Sequence, residues 1–152
     1  MGGPPGTIRW SLEPGDTILR KELHKRYGGG SQGGIEPSAR TPNVLIFSDP
    51  KAGEKYGYVY DSWRDGVFHF TGDGQVGDQE MKYGNRAILD HRKRGRALRV
   101  FDGVRGTVTY QGEFELAADP FYIAEARDRS NDRLRKVIVF RLIQVGAAAS
   151  DP

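Results

Sequence analysis

Cysteine is absent from all 152 residues, so the chain has no disulfide and no cysteine-ligated zinc. A domain of this size buries roughly 68–70% of the surface its unfolded chain exposes, so no covalent staple is needed. Histidine is scarce. The three present, at 24, 69 and 91, fall in separate segments without metal-ligand spacing, which excludes a visible zinc site or HNH-type nuclease centre. No serine sits in a strand–turn–helix elbow of the Gly-x-Ser-x-Gly type. No catalytic residue, metal or cofactor is therefore expected. Long apolar runs are missing too. Val137-Ile138-Val139-Phe140 is far short of the roughly 20 residues of a membrane span. Met1-Gly-Gly-Pro-Pro-Gly lacks the basic start and apolar stretch of a signal peptide, and a cytoplasmic location without membrane contact is expected. Excess charge of one sign is also lacking: 23 Lys+Arg against 20 Asp+Glu leave a net charge of +3. Nucleic-acid binding would have to come from local basic patches.

Glycine is abundant, with 21 residues gathered mostly in Gly28–Gly34, Gly72–Gly77 and Gly103–Gly112. Most mark turns between strands. Residues 1–15, rich in proline and glycine, are expected to be a flexible lead-in. Asp16 is expected to cap a helix over Thr17–Tyr27, with Ile18, Leu19 and Leu23 as its apolar stripe. Residues 28–42 have no periodicity and read as a loop long enough to carry function. Strands are expected over Asn43–Ser48, Tyr56–Asp61 and Val67–Thr71, then a second helix over Asn85–Arg96 ending in a basic tail. Further strands are expected over Leu98–Phe101, Thr107–Leu116, Phe121–Ala126 and Leu134–Val145. The pattern predicts one α+β domain, mainly β, over residues 16–146, with a flexible tail at 147–152. A curved sheet or partly closed β-barrel with two short helices leaves the fewest exposed edges.

Gly72-Asp-Gly-Gln-Val-Gly77 matches the dinucleotide fingerprint, but the polar, acidic Asp78-Gln-Glu-Met-Lys82 follows it. A phosphate-binding turn needs an apolar helix to open there. Aromatics are more telling. Tyr56, Tyr58, Tyr60, Trp63, Phe68 and Phe70 crowd into fifteen residues, with Asp61 closing one strand and Thr71 the next. Most of these rings are expected in a hydrophobic core, but rings beside a carboxylate and a hydroxyl also suit a flipped base.

The segments Gly57-Tyr-Val-Tyr-Asp61, Phe70-Thr-Gly-Asp-Gly-Gln75, Asp78-Gln79 and Asn85-Arg-Ala-Ile88 resemble the SET- and RING-associated (SRA) domain. Its members carry Gly-Tyr-x-x-Asp, Tyr-Thr-Gly-Ser-Gly-Gly, Asp-Gln and Asn-Arg-Ala-Leu. The likeness covers roughly residues 28–100. The run from Gly28 to Ile35 is similar to the N-terminal, modified-DNA-sensing part of bacterial HNH-type restriction endonucleases. The resemblance implies an SRA/PUA-like fold and duplex DNA as partner, with 5-methylcytosine or 5-hydroxymethylcytosine flipped into a pocket. It implies that Tyr58 and Phe70 sandwich the base while Asp61 and Thr71 meet its polar edge. Catalysis would then reside in an HNH nuclease domain outside this chain. Phe70 stands where the family has tyrosine, and Asp73 and Gln75 where it has serine and glycine. The family's long basic finger is missing, since Gly74 and Asp78 are four apart. The gap left by the flipped base therefore falls to the 28–40 loop, with Tyr27, Ser31, Gln32 and Arg40 as its candidates. Arg92, Lys93, Arg94 and Arg96 are the candidate phosphate contacts. The alternatives are a non-flipping nucleic-acid module that reads another modification, such as phosphorothioate, and a small-ligand protein or hydrolase centred on Asp61.

Overall fold

The computed structural model describes residues 8–49, 60–128 and 130–146. In chain order these form β1 (Thr17–Leu19), α1 (Arg20–Tyr27), β2 (Ile35–Pro37), β3 (Asn43–Ser48) and β4 (Ser62–Arg64). Then come β5 (Val67–Thr71), α2 (Tyr83–Leu89), β6 (Ala97–Asp102), β7 (Thr107–Arg127) and β8 (Leu134–Gln144). The strands make one sheet in the order β2-β3-β6-β7-β8-β5-β4, with β1 added alongside β7. Among the described residues only β3 and β6 run parallel, pairing Asn43 with Ala97 and Ser48 with Asp102.

β3 is buried at all six positions because both its faces are covered. Val44 and Ile46 join Ile35, Phe68, Phe70, Phe114, Phe140 and Ile88 of α2 on one side. Leu45 and Phe47 join Leu23 and Tyr27 of α1, Phe101 and Tyr110 on the other. Residues from β2 and β5, near opposite ends of the strand order, share one core, so the sheet curls around it while its path stays open. The β4–β5 hairpin turns on Asp65 and Gly66, whose φ values of 51° and 79° fit a two-residue Asp-Gly turn.

Several boundaries differ from the sequence reading. Thr17–Leu19 is a strand, since β-branched Thr17 and Ile18 pair with Thr109 and Val108 of β7. The Asp16 carboxylate caps no helix and instead accepts from the Glu13 N–H at 2.8 Å. The second helix ends at Leu89, well before Arg96, and a turn closed by Arg96 N–H donating to His91 O at 2.7 Å follows it. β2 occupies part of the expected 28–42 loop. The strands expected at Thr107–Leu116 and Phe121–Ala126 are one, with an irregular register between Leu116 and Phe121. Residues 8–15 pack rather than fray: the Trp10 ring lies 4.3 Å from that of Tyr27, and Arg99 lies over it at 4.5 Å. Residues 1–7 and 147–152 lie outside the described residues.

Candidate functional site

Three strand ends converge beside three loops. Ser48 closes β3, Asp61 precedes β4 and Thr71 closes β5. Asp61 Oδ1 accepts from the Thr71 N–H at 2.7 Å, and Asp61 Oδ2 accepts from Ser48 Oγ at 3.0 Å. Burial pushes the Asp61 carboxyl up to about 6, against the pull of those hydrogen bonds. It is ionised at neutral pH, and two carboxylate oxygens offer about four acceptor sites, so acceptor capacity is left over. The Thr71 hydroxyl beside it is buried and makes no hydrogen bond of good geometry among the described residues, though it lies close enough to the Asp61 carboxylate to help hold it ionised.

These groups line a cavity of about 360 Å³ together with Phe47, Phe70, Asp73, Gln32, Gly33, Gly34, Val104 and Arg105. That volume falls within the roughly 300–1,000 Å³ of small-molecule sites. Phe70 is 3% exposed and belongs to the core as well as to the wall.

Arg20, at the start of α1, organises one side. Its guanidinium lies 3.6 Å from the centroid of the Phe47 ring. It donates to Val104 O at 2.9 Å, Gly33 O at 3.0 Å and Gly30 O at 3.3 Å. Its own backbone N–H donates to Gly106 O at 2.8 Å. Glu36 accepts from the N–H groups of Gly30 and Gly33 at 3.2 and 2.7 Å. The 28–34 loop and the β6–β7 turn are thus tied down at the cavity mouth, leaving Ser31, Gln32 and Arg105 exposed. On the other side Gln79 donates to Gly72 O and Gly74 O at 2.7 and 3.0 Å, and Asn85 holds both backbone groups of Asp73. Asp78, Gln79 and Asn85 therefore shape the wall without lining it.

The structure brings Asp61, Phe70, Thr71 and Gln32 to one cavity. Tyr56 and Tyr58 lie outside the described residues. Tyr60 does not face the cavity; its hydroxyl donates to Glu125 O at 2.6 Å. Tyr27 is corrected: it is fully buried, its hydroxyl bonded to Ser11, so its ring belongs to the core and not to a DNA-entering loop. Arg40 is exposed but donates to the last carbonyls of α1, Lys25 O at 2.7 Å and His24 O at 3.2 Å. Arg92, Lys93, Arg94 and Arg96 lie just before Ala97, beside the Asn43 end of β3. The cavity is at the Ser48 end, about 17 Å away at roughly 3.3 Å per residue. Arg92 pairs with Glu115 at the Asn43 end. The basic tail and the cavity therefore occupy opposite ends of the β3–β6 pair.

Sequence reasoning missed Arg20, Ser48 and Arg105. Ser48 was legible, since it closes a strand as Asp61 and Thr71 flank others. Arg20 was hidden because an arginine opening a short helix reads as a solvated charge.

A binding domain, with a concave polar site mounted at one end of a curled sheet, is the class this fold and site define. The chain belongs to the ScoMcrA-like SRA domain family, whose model matches residues 14–152. It is similar to the sulfur binding domain and SRA domain of ScoMcrA complexed with phosphorothioated DNA. That match has a TM-score of 0.68 and 23% identity over 88% of this chain and 40% of that one. It is also similar to the type IV phosphorothioation-dependent restriction endonuclease ScoMcrA. There the TM-score is 0.65 and the identity 24%, over 88% of this chain and 24% of that one. The SUVH5 SRA in a methylated CHH DNA complex matches with a TM-score of 0.61 and 21% identity, over 97% of this chain and 94% of that one. The chain thus spans less than half of either ScoMcrA chain. No curated protein matches it.

Proposed function

We propose that this domain binds duplex DNA and takes a C5-modified cytosine, methylated or hydroxymethylated, out of the stack into the cavity beside Asp61. The observation that carries this is a buried, donor-held carboxylate with spare acceptor capacity beside the buried Thr71 hydroxyl, which makes no well-formed hydrogen bond among the described residues, inside one cavity. Polar groups so placed await a ligand with matching donors and acceptors.

A carboxylate accepts from the N4 amino group of cytosine, whereas it would meet a carbonyl oxygen in thymine. The Phe70 wall gives the ring an apolar surface. Tyr58 supplies the second stacking face in the resemblance to SRA domains. Stacking contributes on the order of 1–3 kcal/mol per base, comparable with the few kcal/mol that flipping costs, so phosphate contacts must add the rest. Gln32 and Ser31, exposed on the tethered loop at the mouth, fill the gap in the duplex. In the full-length protein the domain serves as the cytoplasmic recognition module of a modification-dependent restriction endonuclease, its HNH nuclease carried on another domain.

ScoMcrA on phosphorothioated DNA favours a second reading, a backbone-modification reader that leaves the base stacked. That structure contains a separate sulfur binding domain beside its SRA domain, so the phosphorothioate need not be read by the SRA part. Binding isotherms with matched duplexes carrying cytosine, 5-methylcytosine, 5-hydroxymethylcytosine or one phosphorothioate separate the two. Base reading requires tighter binding of a modified-cytosine duplex and its loss in Asp61→Ala. Equal affinity for modified and plain cytosine, with Asp61→Ala unchanged, refutes it.

A further inference from the structure

The cavity has a second carboxylate that the N4 contact does not use. Asp73 lines the wall two residues beyond Thr71. Its N–H donates to Asn85 Oδ1 at 2.7 Å and its carbonyl accepts from Asn85 Nδ2 at 3.1 Å, so its backbone is fixed. Its side chain is packed closely on α2: a Cβ at Gly84 would sit 2.8 Å from Asp73 Oδ2. A Cβ at Gly34 would sit 3.7 Å from Oδ1. Among the described residues no N–H or O–H donates to this carboxylate. Glu36 adds negative charge nearby, and burial together with that charge pushes the Asp73 carboxyl up to about 6.

A half-buried carboxylate without a donor is costly to keep unless a ligand supplies one. In cytosine the N4 amino group and the C5 substituent sit on adjacent ring atoms. A base whose amino group meets Asp61 therefore turns its C5 substituent toward the wall beside it. Thr71 N–H holds Asp61, and the same strand end continues into Asp73. A methyl group against that wall would strip water from Asp73 and return no hydrogen bond. A hydroxymethyl group donates one.

Resting on the base-flipping reading, we propose that Asp73 accepts a hydrogen bond from the hydroxyl of a C5-hydroxymethyl group, so that the pocket selects 5-hydroxymethylcytosine over 5-methylcytosine. Hydrogen bonds to charged groups are among the stronger ones, and the expected preference is about tenfold or more.

The test measures dissociation constants of the full chain for one duplex carrying cytosine, 5-methylcytosine or 5-hydroxymethylcytosine at a single position. The variants are Asp73→Ala, the isosteric Asp73→Asn and Asp61→Asn, with folding checked by thermal melting. Wild type should bind the hydroxymethylated duplex about tenfold more tightly than the methylated one. Asp73→Ala should bring that ratio to within about twofold by weakening the hydroxymethylated duplex far more than the methylated one, and Asp73→Asn should fall between. Equal affinities in wild type overturn the proposal. So does an equal loss on both modified duplexes in Asp73→Ala, which would put Asp73 on the second N4 hydrogen. If modification makes no difference to wild type and Asp61→Asn binds normally, base reading itself fails and the Asp73 assignment falls with it. Discrimination of modified from plain cytosine without a hydroxymethyl preference overturns only the assignment.

Discussion

Replacing Asp61 by asparagine should make the domain more stable and a poorer reader at once. The substitution is isosteric. The side-chain carbonyl of the new amide can still accept from the Thr71 N–H, and its NH₂ can donate to Ser48 Oγ, so neither hydrogen bond need be lost. What disappears is a charge in a poor solvent for it. The carboxyl is raised from 3.8 to about 6 by burial, a difference of about 2 units, or about 3 kcal/mol at 1.36 kcal/mol per unit. The sign follows from linkage. Between the two values the folded chain holds a proton that the unfolded chain has released, so wild-type stability falls as pH rises through that window. Above about 6 the penalty is complete, and below 3.8 it is absent. Asparagine never incurs it. At about pH 7.5 a gain of about 3 kcal/mol corresponds to a rise in Tm of roughly 6–12 °C. Urea denaturation of both proteins at about pH 4 and about pH 7.5 measures the gap, which should open only at the higher pH. Affinity for a modified duplex should fall about tenfold in the same variant, since a charge-assisted acceptor becomes neutral. An Asp61→Asn protein that is less stable than wild type at neutral pH, or a stability gap that does not change with pH, refutes the reasoning.

Arg105 is exposed at the mouth and makes no hydrogen bond or ion pair among the described residues. Arg105→Ala should leave stability within about 0.5 kcal/mol, weaken plain and modified duplexes alike, and lower the salt slope by about 0.9. Alanine at 92, 93 and 94 together should change affinity less, which a salt titration of both variants checks. Gly84→Ala would put a Cβ 2.8 Å from Asp73 Oδ2 and 3.0 Å from Ile35 Cβ, so it should cost about 1–3 kcal/mol in chemical denaturation. Arg20→Ala should cost about 3 kcal/mol and speed amide exchange in both the 28–34 loop and the β6–β7 turn.

The elements that sequence periodicity located best are those whose side chains alternate or run apolar: β3, β5 and β8 fall within a residue of expectation. The juxtaposition of Asp61 and Thr71 was legible too, because each is a polar residue directly following a run of aromatics in the sequence. Misplacements have physical causes. Thr17–Leu19 has helix-compatible spacing, but pairing with β7 overrides it. Tyr27 looked like a loop-edge aromatic, yet it is the last residue of α1 and faces Trp10. The basic run at 92–96 advertised phosphate binding, but its charge says nothing about which end of the sheet it occupies. Only the parallel pairing of β3 with β6 shows that it lies away from the cavity. Arg105, a single cation in a glycine turn, carried no compositional signal at all.

The central claim is that a modified cytosine leaves the duplex, and 2-aminopurine fluorescence tests it most directly. The probe is placed beside one 5-hydroxymethylcytosine in a duplex and titrated with the protein, with an otherwise identical unmodified duplex as reference. Flipping predicts a saturable rise in emission on the modified duplex, as the neighbouring base unstacks, that is absent in Asp61→Ala. Saturated binding with unchanged emission on the modified duplex would contradict it.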